Sequence, residues 1–265
     1  MTSPVTINSA SNKRLKHLAE LLKKGRARRE AGCFAAEGWH LYEEAPRDRL
    51  REVYVSASCY DGERARFDEL PCPCYVVEDA LFDRVSDTRT PQGVISVVAI
   101  GENQGDLTKR RDPLILVLDQ ISDPGNLGTM IRTGEAAGAD ALLLSPGCAD
   151  PYQPKVVRGA MGALYRVPVI TTATAAELTD RLSGLQAAGV RIYGTDLRGS
   201  RSYDEPDYTR GTAFIIGNES RGVSAELLDL CDERLIIPMS GQVESLNAAI
   251  AASVLLFEAA RQRRG

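Results

Sequence analysis

No run of about 18 consecutive apolar residues occurs in the chain, so no obvious membrane-spanning helix is encoded. The opening Met1-Thr2-Ser3-Pro4-Val5 lacks a charged segment followed by an apolar one, so no secretory leader is expected and the expected location is the cytoplasm. Histidine is nearly absent, with only His17 and His40. The six cysteines (Cys33, Cys59, Cys72, Cys74, Cys148, Cys231) are scattered. Only Cys72 and Cys74 are close, and a single Pro73 between them is too short a spacer for a zinc knuckle. Reduced thiols and no metal site are therefore expected. Neither a Gly-x-Gly-x-x-Gly fingerprint nor a phosphate-loop Gly-Lys-Ser/Thr is present, which disfavours a dinucleotide oxidoreductase and a nucleotide hydrolase. No internal repeat or low-complexity tract is visible.

What is present is 265 residues, 43% of them hydrophobic, enough for one large or two ordinary domains with real cores. The net charge of -4 argues against a general polyanion binder, but it hides an asymmetry. Residues 1–30 carry Lys13, Arg14, Lys16, Lys23, Lys24, Arg26, Arg28 and Arg29 against only Glu20 and Glu30. Such a basic end is either a solvated helix face or a contact for nucleic acid.

Leu15, Leu18, Ala19 and Leu22 fall at helical spacing, with Ser11 as the expected cap and Gly25 as the stop. Short β-like runs follow at 52–57, 74–77 and 93–100, with helix-compatible stretches at 38–46 and 78–86. Residues 1–100 thus read as a small α/β module, and the polar 101–112 as a linker. From 113 to 265 apolar strands (114–118, 141–144, 167–170, 190–194, 213–217, 234–238) alternate with amphipathic helices, the mark of a parallel sheet covered on both faces. The last helix, from about Ser245 to Gln262, has a wide apolar stripe through Leu246, Ala249, Ile250, Val254 and Phe257, suited to the sheet or a second subunit.

Parallel sheets bind ligands beyond the carboxyl ends of their strands, and three such junctions mix glycine with polar residues. In 119-DQISDPGNLGTMIRTGEAAG-138, Asn126 stands where a helix cap is expected and Arg132 follows within two turns. In 217-GNESRGVS-224, Glu219 and Arg221 lie directly after a buried strand. In 235-LIIPMSGQVESLNAAIAASV-254, Pro238 ends a strand, Gly241 permits a reversal, and Ser245 or Asn247 is placed to cap the last helix.

Together these segments resemble the three motifs of the SpoU, or TrmH-type, RNA ribose methyltransferases of the SPOUT superfamily, in order and spacing. The basic helix, 33-CFAAEGWHLYEEA-45 and 88-TRTPQGVISVVA-99 resemble the substrate-binding domain of ribosomal-RNA members. Departures are small: Gly134 and Ala160 stand in place of alanine and serine, and Ala248-Ala249 in place of Val-Ser. The resemblance implies a parallel-sheet α/β domain with a trefoil knot, a ribosomal-protein-like α/β domain before it, a homodimer, and S-adenosylmethionine as methyl donor to RNA. It implies catalytic roles for Arg132, Asn126, Glu219, Ser245 and Asn247, and a cofactor bed of Gly217, Asn218, Ile237, Met239, Ser245, Leu246 and Asn247. Lys13, Arg14, Lys23, Lys24, Arg26, Arg28 and Arg29 become the expected RNA contacts. A guanidinium is a poor proton acceptor, so Arg132 as a base and Arg132 as a stabiliser of developing oxyanion charge both stay open. The added basic module favours ribosomal over transfer RNA, and an inactive RNA-binding protein of the same fold remains the alternative.

Overall fold

The computed structural model describes residues 4–67, 69–101, 105–199 and 201–264. They form two compact units. One comprises the described residues up to 101 together with Tyr152–Tyr165, the other residues 105–151 and those from 166 onward.

The first unit contains β1 (Val5–Ile7), α1 (Lys13–Lys23), α2 (Gly25–Ala31), β2 (Cys33–Glu37), α3 (Trp39–Glu43), β3 (Leu50–Ser56), α4 (Ala57–Glu63), β4 (Cys74–Val77), α5 (Asp79–Val85) and β5 (Val94–Ala99). Its mixed sheet runs β1-β4-β3-β5-β2. Leu15, Leu18, Leu21 and Leu22 of α1 enter one core with Phe82 and Tyr54, as their spacing requires. Asn12, not Ser11, caps α1 by accepting the amide of Arg14. Gly25 does not only end a helix: it opens α2, whose left-handed Gly32 turns the chain into β2. That strand and β1 escaped the pattern reading, because β2 is buried at every position and β1 is only three residues long.

Arg28 is a correction. It is 4% exposed, and its guanidinium donates to the carbonyls of Leu21 (2.6 Å) and Leu22 at the end of α1. Closing those carbonyls occupies the side chain, so it is not a surface RNA contact. Arg28→Ala should destabilise the protein by about 2–3 kcal/mol in a denaturant titration, whereas exposed Arg29→Gln should change it by less than about 0.5 kcal/mol.

The second unit contains β6 (Leu114–Leu118), α6 (Pro124–Ala136), β7 (Ala141–Leu144), β8 (Val169–Thr171), α8 (Ala175–Ala187), β9 (Arg191–Thr195), β10 (Arg201–Ser202), β11 (Thr212–Ile216), α9 (Ala225–Asp229), β12 (Glu233–Ile236) and α10 (Ala248–Arg263). The intervening helix α7 (Pro154–Ala160) packs on β2 in the first unit. All seven strands are parallel, in the order β10-β12-β9-β11-β6-β7-β8. Every residue of β6, β7 and β11 is buried, which explains their unbroken apolar runs. The chain runs outward through β6, β7 and β8, then returns to build the other half, so the order reverses between β6 and β11. The crevice outside the carboxyl ends at such a reversal is where ligands bind in open α/β sheets.

Of the expected 101–112 linker, residues 102–104 lie outside the described residues. Leu107, in a single 3-10 turn, is buried in the second core, an isolated anchor that no periodicity could announce. No helix among the described residues is long and apolar enough to cross a membrane.

Candidate active site

Three loops meet at that crevice. Pro124 opens α6 and Asp123 caps it, accepting the amide of Asn126 at 2.8 Å. Asn126 is therefore not the cap. It sits inside the first turn, and its side chain is left for other partners. Its Nδ2 donates to Glu219 Oε1 (2.5 Å) and its Oδ1 accepts Asn247 Nδ2 (3.0 Å). Asn247 caps α10, with Oδ1 accepting the amides of Ala249 and Ile250. The helix backbone thus fixes which end of Asn247 faces Asn126, and that fixes the orientation of Asn126 towards Glu219. Residues 126, 219 and 247, so distant in sequence, form one polar chain at the protein surface.

The 217–222 loop is a tight reversal after β11. Asn218 and Gly222 pair across it, with Gly222 N donating to Asn218 O at 2.8 Å. Gly217 has no room for a side chain, since a Cβ there would lie 2.1 Å from the backbone of Gly222 and Val223. Behind the loop, Asn218 Nδ2 donates to Gln120 O (3.0 Å). Asp119, 3% exposed, accepts Ser145 Oγ (3.0 Å) and Ser224 N (2.8 Å). Sequence reasoning passed over Asp119 and Ser145; their signal was position, one residue beyond parallel strands β6 and β7.

Beside this chain of groups lies a cleft of about 470 Å³, a size suited to a small cofactor. Gly217, Asn218, Ile237, Met239, Ser245 and Leu246 of the expected cofactor bed line it, and Glu219 joins them, while Asn247 stands in the polar chain at its edge. Thr195, the last residue of β9, and Asp196, Leu197 and Arg198 just after it add to the wall and were missed, although they too stand at a strand's carboxyl end. Apolar Ile237, Met239 and Leu246 can hold an adenine or thioether carbon, while Asp196, Glu219 and Glu244, set against Arg198 and Arg221, offer partners for both cationic and carboxylate groups of a ligand. S-adenosylmethionine, with an apolar heterocycle and positive sulfonium and ammonium groups, fits this donor set.

Arg132 is not brought to this cleft in its own chain. It is exposed on α6 and has no ion pair or side-chain hydrogen bond among the described residues. Of the expected RNA cations, Arg14 pairs with Glu52 (2.9 Å), Lys24 with Glu20 (2.9 Å) and Arg26 with Glu30 (2.6 Å). Lys13, Lys23 and Arg29 have no ion pair among the described residues.

The cysteines are free thiols, and burial pushes Cys72 and Cys74 up to about 11 and Cys231 up to about 12. They are poor nucleophiles near neutrality. No group of three His, Cys, Asp or Glu side chains among the described residues could hold a metal ion.

A parallel α/β sheet with a cofactor-sized cleft and a Glu-Asn-Asn chain at the strand ends has the makings of a group-transfer enzyme. Residues 113–257 match the SpoU rRNA Methylase family, and residues 12–96 match the MRM3-like substrate binding domain. The chain belongs to the SpoU rRNA methylase family. It is 37% identical over 254 residues to the 23S rRNA (guanosine(2553)-2'-O)-methyltransferase RlmP of Bacillus subtilis, covering 95% of this chain and 97% of that one. It is also 37% identical, over 70% of this chain and 66% of the relative, to the 23S rRNA (uridine(2479)-2'-O)-methyltransferase of Streptomyces viridochromogenes. Among solved structures, the SpoU methyltransferase AviRb of the same organism, in complex with AdoMet, superposes with a TM-score of 0.85 at 31% identity, covering 96% of this chain and 98% of that one.

Proposed function

We propose that this protein is an S-adenosylmethionine-dependent methyltransferase acting on a ribose 2'-hydroxyl of ribosomal RNA, and that it works as a homodimer with the trefoil-knotted carboxyl-terminal path its family implies. The observation that carries the reading is the Glu219–Asn126–Asn247 chain beside the cleft.

The cofactor, when bound, supplies an electrophilic methyl group on a sulfonium. The residues of the chain do the rest. Gly217, Ile237, Met239, Ser245 and Leu246 hold the donor. Asn126, oriented from both sides, keeps one amide N–H beyond its Glu219 bond to direct at an incoming hydroxyl or phosphate. Holding donor and acceptor in line contributes up to about 7–11 kcal/mol for well-oriented reactants. Arg132 binds the phosphate next to the target ribose and stabilises charge developing on the 2'-oxygen, and the proton leaves to phosphate or solvent.

The second subunit supplies that arginine. Arg132 stands outside its own cleft, and α10 next to α6 leaves Ile250 54% and Phe257 45% exposed. Exposed apolar side chains on one helix mark a surface for association. Lys13, Lys23 and Arg29 serve as cationic contacts for the RNA backbone.

Labelled methyl from S-adenosylmethionine should appear on a 2'-oxygen of in-vitro-transcribed 23S rRNA, read as alkali-resistant dinucleotides. Asn126→Ala should lower kcat about 100-fold, as removal of one preorganised donor does. Asn126→Asp should be at least as poor, because it sets a second carboxylate against Glu219. Label confined to transfer RNA, or carried on a base, would overturn the assignment.

A further inference from the structure

We infer that the loop of residues 86–92 in the first unit is a built contact for the RNA backbone, with Arg89 as the side chain that takes a phosphate. This rests on the ribosomal-RNA reading above. Glu37, the last residue of β2, is 7% exposed, and its carboxylate accepts Ser86 Oγ, Thr88 Oγ1 and Asp87 N (3.1 Å). A buried carboxylate is costly unless hydrogen bonded, and here all three bonds hold one surface loop.

The other end of the loop is pinned as firmly. Gln92 Oε1 accepts Trp39 N at 2.8 Å, and Gly38, at φ +108°, leaves space for that oxygen, since a Cβ would come within 2.9 Å of it. Gly93, at φ +80°, lies where a Cβ would meet Cys59 Cβ at 2.6 Å. The loop's own acid is neutralised, because Asp87 pairs with Arg158 of α7 at 2.8 Å in the same unit.

What remains is Arg89, exposed and with no ion pair or hydrogen bond among the described residues. A fixed loop presenting one uncommitted guanidinium has already met the ordering cost that binding usually imposes. The planar fork of arginine matches a phosphate bidentately. The loop exposes no large apolar side chain to anchor a protein partner, and the chain's own substrate is a polyanion. Three of the α1–α2 cations are meanwhile committed to nearby carboxylates.

The test uses the full-length protein with in-vitro-transcribed 23S rRNA, by filter binding across a salt series and by steady-state methyl transfer. Arg89→Gln should raise Kd and KM for the RNA about tenfold. It should also reduce the slope of log K against log salt by about 0.7–0.9, one phosphate contact, while kcat at saturating RNA and S-adenosylhomocysteine affinity hold. Arg89→Lys should recover part of the loss. Arg84→Gln, likewise an exposed cation but on α5 outside the pinned loop, should change neither quantity, and an equal loss there would overturn the proposal in favour of diffuse charge. Glu37→Gln, with folding checked by Tm, should weaken binding in the presence of Arg89 and add nothing to Arg89→Gln. If it does not fold, the Arg89 and Arg84 variants still decide. Unchanged KM and salt slope for Arg89→Gln, with a wild type that methylates the RNA, overturns the loop assignment alone; a wild type that does not methylate it overturns the functional reading beneath.

Discussion

Arg132→Ala is expected to lower kcat by about 10²–10³-fold and to leave S-adenosylhomocysteine affinity within about twofold. The size is that of removing one preorganised donor from a developing oxyanion. The selectivity follows from geometry, since Arg132 does not line the cleft of its own chain. The same geometry makes a stricter demand. Arg132→Ala and Glu219→Ala, each inactive alone, should regain activity when unfolded and refolded together. A mixed dimer then carries one cleft with an intact Glu219 facing an intact Arg132 from the other copy. Random pairing would restore about a quarter of the sites. No recovery in a mixture shown to contain mixed dimers would place the arginine and the cleft in one subunit. Arg132→Lys separates the two chemical roles: an active variant with a shifted limb in its pH-rate profile marks a base, whereas inactivity with normal cofactor binding marks bidentate positioning.

Gly217→Ala is expected to abolish detectable S-adenosylhomocysteine binding in calorimetry and to lower Tm by several degrees. A methyl group there would meet backbone atoms of Gly222 and Val223 at 2.1 Å, and backbone cannot swing aside as a side-chain tip can. The cost of overpacking is about 1–3 kcal/mol, enough for such a Tm change in a protein this size. The loop must open to relieve the clash, and opening breaks the Asn218–Gly222 pairing that forms one wall of the cleft. Gly241→Ala is the matched control, since no atom lies within 4 Å of a Cβ there. Retained binding by Gly217→Ala would show that this loop does not shape the cofactor bed.

Much of this was legible in the sequence because the catalytic unit is built on a parallel sheet. Buried strands write themselves as apolar runs, so β6, β7 and β11 stand out, and the loops after β6, β11 and β12 stand out as candidates by their mix of glycine and polar residues. Convergence was less legible. That Asn126 touches both Glu219 and Asn247 depends on Asp123 taking the cap, and a sequence containing both Asp123 and Asn126 offers two candidates for one position. Commitment of charge was not legible at all. Arg28 and Arg29 are neighbours of the same type, yet one closes the end of α1 and the other faces solvent, a difference set by which way α2 turns. Asp119 was silent for a related reason: a buried carboxylate is recognised by its partners, and Ser145 and Ser224 come from other loops.

The placement of α7 bears on how such proteins can diversify. Chain flanking Tyr152–Tyr165 belongs to the catalytic unit, but Val156, Val157, Ala160 and Tyr165 bury themselves in the recognition unit. Tyr165 even donates its hydroxyl to the carbonyl of Leu41 at 2.9 Å. Exchanging one recognition unit for another is therefore not a cut-and-paste at a single seam. A graft that carried only the amino-terminal hundred residues would leave an apolar helix without its sheet, so new target specificity has to be inherited as two matched stretches of chain.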